Sequence, residues 1–194
     1  RSMQAGLGPC TMIAAPSSAL ACESQALSWA FGLLPDLGSI AGLAGQGRLD
    51  EISIQPNLPV RFMSYPRRGE FFPAAYLPKF PGLRVQVHKF GEVVGIFSSQ
   101  LRDISLSLGG LCQHVGQLKP DFVVDADLIG FFASSSGEAS AISNICSRSE
   151  MLGYINRRRL ARKSNIRPAL LAYDLLAVDG SDICRMAYAE RRKR

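Results

Sequence analysis

The sequence has few of the residues that build metal and disulfide sites. It contains two histidines and five cysteines, and the cysteines are odd in number, widely spaced and without a C-x-x-C pair. Neither a zinc site nor a disulfide framework is predicted, so we expect reduced, mostly buried thiols. The sequence also lacks an apolar run long enough to span a bilayer and a basic-then-apolar leader, so we expect a soluble, intracellular protein with no membrane partner.

The composition is typical of a globular protein with a substantial core. Of the 194 residues, 47% are hydrophobic and 20% are charged, which excludes a disordered chain. A chain of this length holds one ordinary domain, or a small domain together with a piece of another.

Positive charge is concentrated towards the end of the chain. Residues 148–194 carry 12 of the 22 lysines and arginines against five acidic residues, a net charge of +7. Residues 1–147 are close to neutral. A one-sided field of this kind indicates a polyanionic partner, and a solvated helix face explains it equally well.

The first part of the chain is predicted to be helical. Apolar side chains at helical spacing predict a helix over residues 20–34, and Asp36 is placed to cap a second helix over residues 37–43. Residues 52–63 are punctuated by prolines and predict an extended linker.

Strands are predicted in the rest of the chain. Residues 82–89 and 92–98 are separated by a Phe-Gly turn signal and predict a β-hairpin. Residues 121–132 and 167–178 are further apolar runs and predict two more strands.

Helices are predicted between and after these strands. We expect a helix over residues 101–118 interrupted by two glycines, a partly helical basic stretch over residues 139–163, and a final helix over residues 182–194. The predicted fold class is therefore α+β, with mixed or antiparallel sheets and flanking helices, preceded by a small helical segment.

A single lysine precedes the first predicted strand. Lys79-x-x-Gly82 leads into a stretch that alternates between apolar and polar side chains, Leu83, Val85 and Val87 against Arg84, Gln86 and His88. A lysine beside a strand, with a glycine that allows close backbone approach, is a place where an amine can meet a nucleotide phosphate. An ordinary surface lysine is the alternative interpretation, because short motifs are weak signals.

Four spaced features follow one another along the predicted sheet. They are Lys79-x-x-Gly82 with Arg84 five residues after the lysine, Ile96-Phe97-Ser98, Val124-Asp125-Ala126-Asp127-Leu128, and the strand that begins Tyr173-Asp174 and ends Asp179-Gly180. In this order and at these separations they resemble the nucleotidyltransferase core of ATP-dependent DNA ligases of the archaeal and eukaryotic type. The resemblance implies an adenylation core of the nucleotidyltransferase, or ATP-grasp-like, kind.

The resemblance extends over nearly the whole chain. Residues 26–31 and 35–38 resemble the last helices of the family's DNA-binding domain, and residues 190–194 resemble the E-R-R-x tail that follows the family's aromatic strand. It implies three segments: the helical end of a DNA-binding domain over residues 1–51, a linker over residues 52–63 and a partial adenylation domain over residues 64–194. The family's E-G-x-M/V and K-x-K motifs and its oligonucleotide-binding domain are not found in this chain, so this chain alone is not expected to join DNA.

Members of this family seal nicked duplex DNA with ATP and Mg²⁺, in replication, repair and recombination. The resemblance implies that Lys79 attacks the α-phosphate of ATP and forms a lysyl-AMP. The AMP then passes to a DNA 5′-phosphate, and a 3′-hydroxyl displaces it. Such chemistry requires a neutral amine, cations and a metal ion that spread phosphoryl charge, and an aromatic face that stacks on adenine.

The resemblance also assigns a role to each matching residue. Lys79 is the adenylated lysine, Arg84 contacts the nucleotide, Asp127 lies near the ribose or the metal ion, and Tyr173 stacks on adenine, with Gly82 and Ser98 in the nucleotide-binding motifs. A basic face formed by Arg157, Arg158, Arg159 and Arg162 is expected to contact DNA phosphates. A monomer is expected.

The chain departs from the family pattern mainly around the lysine. Pro81 replaces the aspartate of K-x-D-G, which removes a carboxylate and a backbone donor. Leu77 replaces a glutamate that reads the adenine, and Ser99 replaces the arginine of F-S-R-N. Asp127 replaces the glutamate of D-x-E and shortens its reach by one methylene. We therefore expect a degenerate site that is inactive in this chain.

Two other interpretations stay open. The ligase fold can serve as a non-catalytic module that binds nucleic acid or a partner protein through residues 148–194. The chain can also be the product of an eroded coding sequence without a function.

Overall fold

The computed structural model describes residues 17–19, 22–62, 75, 77–132, 144–156 and 165–194. The chain divides into two units, residues 1–63 and residues 64–194.

Between residues 22 and 62, the first unit contains two short helices. Helix α1 (Ser24–Leu33) and helix α2 (Leu37–Gly45) pack together through their apolar side chains, of which Leu27, Ala30, Leu33, Ile40 and Ala44 are buried. As predicted, Asp36 caps α2, because its carboxylate accepts a hydrogen bond from the Gly38 N–H at 3.1 Å.

The segment expected to be a linker contributes to this unit. After a 3₁₀ turn (Leu49–Glu51), Ile52 and Val60 are buried. The Arg61 N–H donates to the Gly32 carbonyl at 2.7 Å, which ties the segment to the end of α1. The assignment of residues 1–51 to a DNA-binding domain stays a prediction.

In the part of the second unit that the structure describes, the strands form a five-stranded antiparallel sheet. Its strands are β1 (Leu83–Phe90), β2 (Val93–Ser98), β3 (Phe122–Phe132), β4 (Ile166–Val178) and β5 (Ser181–Asp182), in the order β2-β1-β3-β4-β5. The hairpin and the two long strands agree with the predictions to within one or two residues. The predicted α+β class with an antiparallel sheet is confirmed.

One face of the sheet forms the apolar core. The alternating residues of β1 and their neighbours pack against α3 (Gly109–Gly116) and α4 (Arg148–Asn156); the buried set is Leu83, Val85, Val87, Ile96, Leu108, Val115, Ala126, Leu128, Cys146, Met151 and Ile155. Strand β3 passes this core through Gly130, where a side chain would overlap Met151 Sδ.

The opposite face of the sheet is polar, although it is buried. Gln86, His88 and Asp125 are each at most 2% exposed, and Asp174 is 8% exposed. Burying a polar group costs free energy unless the group is hydrogen-bonded. The stability of this face therefore depends on the hydrogen-bond partners of these side chains.

Two helix predictions were wrong in extent. The glycine pair begins α3 after a 3₁₀ turn (Ser105–Leu108) instead of interrupting a helix, because Gly109 has helical dihedral angles of −51° and −39°. The chain after β4 forms β5 and only one turn of helix, α5 (Tyr188–Arg191). Its backbone is used elsewhere: the Ile183 N–H donates to the Leu176 carbonyl, and the carbonyls of Cys184 and Met186 accept from Arg191.

The cysteines of the described residues are free thiols. Cys146 is buried, and Cys22, Cys112 and Cys184 are half-buried. Of these four thiols, Cys146 alone is fully buried, so the thiols are less buried than expected. Burial raises the pKa of the Cys112, Cys146 and Cys184 thiols, which keeps them protonated. Among the described residues, none of the helices is both long and apolar enough to cross a membrane.

Candidate active site

The segment that carries Lys79 passes directly over strand β3. A β-carbon placed on Gly82 would lie 3.0 Å from Asp127 Cβ, 3.0 Å from Ile129 Cγ2 and 3.1 Å from the Leu128 carbonyl oxygen. Only glycine fits this approach without a shift of β3. Lys79 is exposed and lies three residues before Gly82, where the chain approaches Asp127.

Arg84 is the first polar residue on the buried face of β1. It is paired in the sheet with Asp127, and its Nη2 donates to Asp125 Oδ2 at 2.9 Å. In antiparallel pairs, directly opposite side chains lie on the same face. Arg84 and Asp127 therefore share the polar face, with Arg84 only 20% exposed.

Tyr173 reaches this face through an irregularity in β4. The pairing runs from Asp125 with Asp174 directly to Ala126 with Ala172, so Tyr173 is an additional residue at a β-bulge. Bulges re-aim a side chain and occur next to active sites. The Tyr173 ring centroid lies 6.0 Å from the Arg84 guanidinium carbon.

Asp127 is half-buried and surrounded by positive charge. Burial raises the pKa of its carboxyl group, and three cations oppose that rise, Arg84, Lys79 and Arg148. Over the part of the chain that the structure describes, the Asp127 carboxylate makes no hydrogen bond or ion pair. Its charge is therefore available to a ligand.

A hydrogen-bonded network lies behind this site. Asp125 accepts from Gln86 Nε2 at 3.0 Å as well as from Arg84, and the Gln86 Oε1 contacts His88 Nε2 at 2.9 Å. Burial raises the pKa of the Asp125 carboxyl group, and these two hydrogen bonds offset part of the rise. Through Asp125, this network fixes the position of the Arg84 side chain.

A second ion pair, between Arg191 and Asp174, lies beside this network, because Asp174 of β4 is paired in the sheet with Asp125. Arg191 donates to both oxygens of Asp174, at 2.8 and 2.7 Å, and both side chains are less than 10% exposed. The hydrogen bond with Asp174 raises the pKa of Arg191 further above its ordinary range. The Tyr188 hydroxyl donates to the Tyr173 carbonyl at 2.9 Å, which fixes the backbone at the bulge.

Ser98 lies apart from these residues. It is paired with Val85, which faces the apolar core, so the structure puts it on the other face from Arg84. Its Oγ accepts from the N–H groups of Gln100 at 3.4 Å and Arg102 at 3.3 Å and closes the turn after β2. Arg157, Arg158, Arg159 and Arg162 lie outside the described residues.

Sequence reasoning missed three contributors to this region. Asp174, Arg191 and Arg148 were not expected at the site, although the E-R-R pattern at residues 190–192 drew attention to Arg191. The Arg191 pairing depends on how the chain turns after β5. The proximity of Arg148 depends on where α4 begins relative to β3.

A cavity of about 600 Å³ lies at a different place in the second unit. It is lined by Glu92, Gln113, His114, Gly116 and Gln117. It contains none of the residues predicted for the site and no lysine or arginine, so it is a poor place for a polyphosphate. Lys79 is instead exposed, and Arg84 and Asp127 are partly exposed.

The sequence of this chain is similar to those of known proteins. A family model described as "ATP dependent DNA ligase domain" matches residues 70–194. A DNA ligase of Thermococcus fumicolans is 27% identical over an alignment covering 100% of this chain and 36% of its own length. A DNA ligase of Pyrobaculum calidifontis is 30% identical, with 99% of this chain and 34% of that protein covered.

A solved structure of a mycobacterial DNA ligase D, complexed with ATP and MES, also aligns with this chain. It is 26% identical over 59% of this chain and 33% of its own, with a TM-score of 0.40. At that score the family assignment rests on the sequence matches. The chain spans about a third of the length of the curated relatives it matches. With a family model covering most of its length, the chain belongs to the ATP-dependent DNA ligase family.

Proposed function

We propose that this chain forms the nucleotide-binding part of an ATP-dependent DNA ligase, in which Lys79 is the residue that accepts AMP. The observation that carries this proposal is the approach of the Lys79–Gly82 segment to Asp127, beside Arg84 and Tyr173. These residues are far apart in sequence, and each lies in a stretch that resembles a family motif. The same proposal assigns residues 1–51 to the end of a DNA-binding domain and residues 64–194 to part of an adenylation domain.

In the proposed reaction, the neutral amine of Lys79 forms a bond to the α-phosphorus of ATP and pyrophosphate leaves. The ammonium form of the side chain loses one proton to water before the attack, and the attacking nitrogen loses a second proton to water as its bond to phosphorus forms. Arg84 has a fixed position through its pairing with Asp125, so it can bind phosphate oxygens without a further ordering cost. Tyr173 offers an aromatic face for the adenine.

Magnesium would be held mainly by Asp127 and the phosphates. Mg²⁺ is usually bound through one or two carboxylates, waters and substrate phosphates. The Asp127 carboxylate fits this pattern because, among the described residues, it has no bonded partner. No cluster of three or more potential metal ligands occurs in the described residues, so a site made of protein groups alone is not proposed. The bound ion would neutralise phosphate charge.

The departures from the family pattern affect transfer more than binding. Pro81 and Leu77 are exposed beside Lys79, where the family has two carboxylates. The absence of these two carboxylates leaves Arg84, Asp127 and Tyr173 in position. We therefore propose that ATP binds and that the transfer of AMP to Lys79 is slow or absent.

The test measures binding and transfer separately. Isothermal titration with ATP and Mg²⁺ should show binding by the wild-type chain and weaker binding by Lys79→Ala. After incubation with ATP and Mg²⁺, intact-mass measurement should show more adenylated protein for the double variant Leu77→Glu/Pro81→Asp than for the wild type. Adding Lys79→Ala to the double variant should remove the adduct. An absence of ATP binding by the wild type would overturn the proposal.

We propose the joining of nicked DNA as an activity of a whole ligase, of which this chain would form one part. We propose duplex DNA as its partner and the interior of the cell as its location, because ATP and DNA occur there together. A monomeric ligase contacts its substrate through basic groups, and Arg157, Arg158, Arg159 and Arg162 are the proposed contacts.

A non-catalytic DNA-binding module is the second candidate. It is favoured by a group of exposed cations after β5: Arg185, Arg192, Lys193 and Arg194. Binding to duplex DNA across a salt series tests it, since a site that contacts phosphates loses affinity steeply as salt rises. Binding that does not change with salt would exclude this candidate.

A further inference from the structure

Arg148 is held next to the candidate site by the way helix α4 begins. Ser147 and Glu150 form a reciprocal capping box: the Glu150 N–H donates to Ser147 Oγ at 3.3 Å, and the Ser147 N–H donates to Glu150 Oε2 at 2.7 Å. Arg148 is the first residue of the helix that this box fixes.

The chain before the capping box is attached to β3. The Cys146 N–H donates to the Gly130 carbonyl at 2.8 Å, and Ile145 forms a bridge with Phe131. Gly130 has no room for a side chain against Met151 of the same helix. Because β3 also carries Asp127, the position of the Arg148 backbone is set relative to that carboxylate.

The Arg148 side chain extends to the segment that carries Lys79. Its Nη1 donates to the Gly82 carbonyl at 3.2 Å, and Gly82 is the residue that contacts Asp127. The side chain is exposed. An arginine has five N–H donors in a planar fork, and over the described residues this single hydrogen bond is the one Arg148 makes. Most of its donors can therefore bind a ligand.

We propose that Arg148 binds a phosphate group of the nucleotide at the Lys79 site. This inference rests on the proposed function and extends it to a residue outside the four motifs. Arginine forms two parallel hydrogen bonds to a phosphate, which Lys79 cannot do. Arg148 therefore adds a cation to the Lys79 site from the start of helix α4.

The alternative role for Arg148 is to anchor the Lys79–Gly82 segment through the Gly82 carbonyl alone. The two roles differ in what a variant loses. A phosphate contact affects ligands that carry phosphates, whereas an anchor affects every ligand that uses the site.

The experiment compares ATP with adenosine. The affinities of the wild-type chain, Arg148→Gln, Arg148→Lys and Lys119→Gln are measured for both ligands in the presence of Mg²⁺, with melting temperatures measured alongside. Lys119→Gln removes one exposed positive charge near the start of β3, at the other end of the strand from Gly82, and serves as the control. Arg148→Gln should weaken ATP binding about tenfold, as expected for the loss of one charge-assisted contact.

The other expected results complete the test. Adenosine affinity and the melting temperature of Arg148→Gln should be unchanged, Arg148→Lys should recover part of the ATP affinity, and Lys119→Gln should behave as the wild type. Unchanged ATP affinity in Arg148→Gln, or equal losses for ATP and adenosine, would overturn this inference and leave the proposed function standing. A wild-type chain that does not bind ATP would overturn the proposed function and this inference with it.

Discussion

Two groups of charged and polar residues on and beside the sheet have opposite properties. We call the first the interior group: Gln86, His88, Asp125, Asp174 and Arg191, which are buried and hydrogen-bonded to one another or to Arg84. We call the second the rim group: Lys79, Asp127 and Arg148. Its members are exposed or half-buried and, within the described residues, form no ion pair with one another.

The difference follows from the cost of removing charge from water. A buried ion must be paired and hydrogen-bonded to be tolerated, and the interior group meets this requirement internally. The rim group keeps contact with water, so its charges can stay separate until a ligand arrives. Arg84 connects the two, since it pairs with Asp125 and lies opposite Asp127. The interior group is therefore structural, and the rim group is the part that can bind.

The largest expected effect comes from breaking the interior group. Arg191→Ala leaves the buried Asp174 carboxylate without its bidentate partner and should lower the free energy of unfolding by about 3–5 kcal/mol. The adjacent Arg192 is exposed, so Arg192→Ala should change it by less than about 0.5 kcal/mol. Trp29 is the sole tryptophan and lies in the first unit, so urea unfolding should be followed by circular dichroism of the sheet. Equal effects in the two variants would contradict the structural role of the interior group.

A smaller effect is expected where the rim is positioned. Gly82→Ala puts a β-carbon 3.0 Å from Asp127 Cβ and should move the Lys79 segment away from β3. We expect about a tenfold loss of ATP affinity, which corresponds to about 1.4 kcal/mol. Gly153→Ala is the matched control, because nothing lies within 4 Å of its β-carbon. It should keep the ATP affinity and, as a helical substitution, raise stability by about 1 kcal/mol.

Asp127, in the rim group, and Asp121, outside it, should contribute to stability with opposite dependence on pH. Burial raises the pKa of Asp127 above its ordinary value of about 3.9. Its ionised form is therefore disfavoured in the folded state, and stability is lost as pH rises from that value through the raised pKa. Asp127→Asn should raise the melting temperature of the ligand-free chain at pH 7 and weaken its binding of ATP with Mg²⁺.

Asp121 provides the comparison, because it is a bonded carboxylate. Hydrogen bonds from the Gly91 N–H at 2.8 Å and from Lys89 at 3.1 Å lower its pKa. Its stabilisation is present above about pH 3.9 and is lost as pH falls through the lowered pKa. Asp121→Asn should lower the melting temperature at pH 7 and reduce the acid dependence. A rise at pH 7 for Asp121→Asn, or a fall for Asp127→Asn, would contradict the assignment.

The sheet was predictable from the sequence because strand periodicity is a local signal. The alternation from Leu83 to His88 predicts both the strand and its two faces, and Asp36 predicts the start of α2. The family motifs also predict which side chains the sheet brings together. The structure brings Gly82, Arg84, Asp127 and Tyr173 into one region, with Lys79 near Asp127, whereas Ser98 lies on the other face of the sheet.

The remaining features depend on distant pairing, which periodicity does not report. The bulge at Tyr173 arises from the register between β3 and β4, and the glycine at Gly130 is required by the approach of α4. The tail after Asp182 has helical composition, but its carbonyls bind the Arg191 side chain. The position of Ser98 on the core face follows from its pairing with Val85.

Two lysines near the ends of β1 allow the most direct test of the division between structure and binding. Lys79 is exposed at the rim, whereas Lys89 is 2% exposed and bonded to Asp121. Thermal unfolding is measured with and without saturating ATP and Mg²⁺ for the wild type, Lys79→Gln and Lys89→Gln, because a ligand stabilises the state that binds it. Lys79→Gln should match the wild type without ligand and show a smaller ligand-induced rise. Lys89→Gln should unfold earlier without ligand and keep the full rise. The same rise in the wild type and Lys79→Gln, or none in the wild type, would contradict the account.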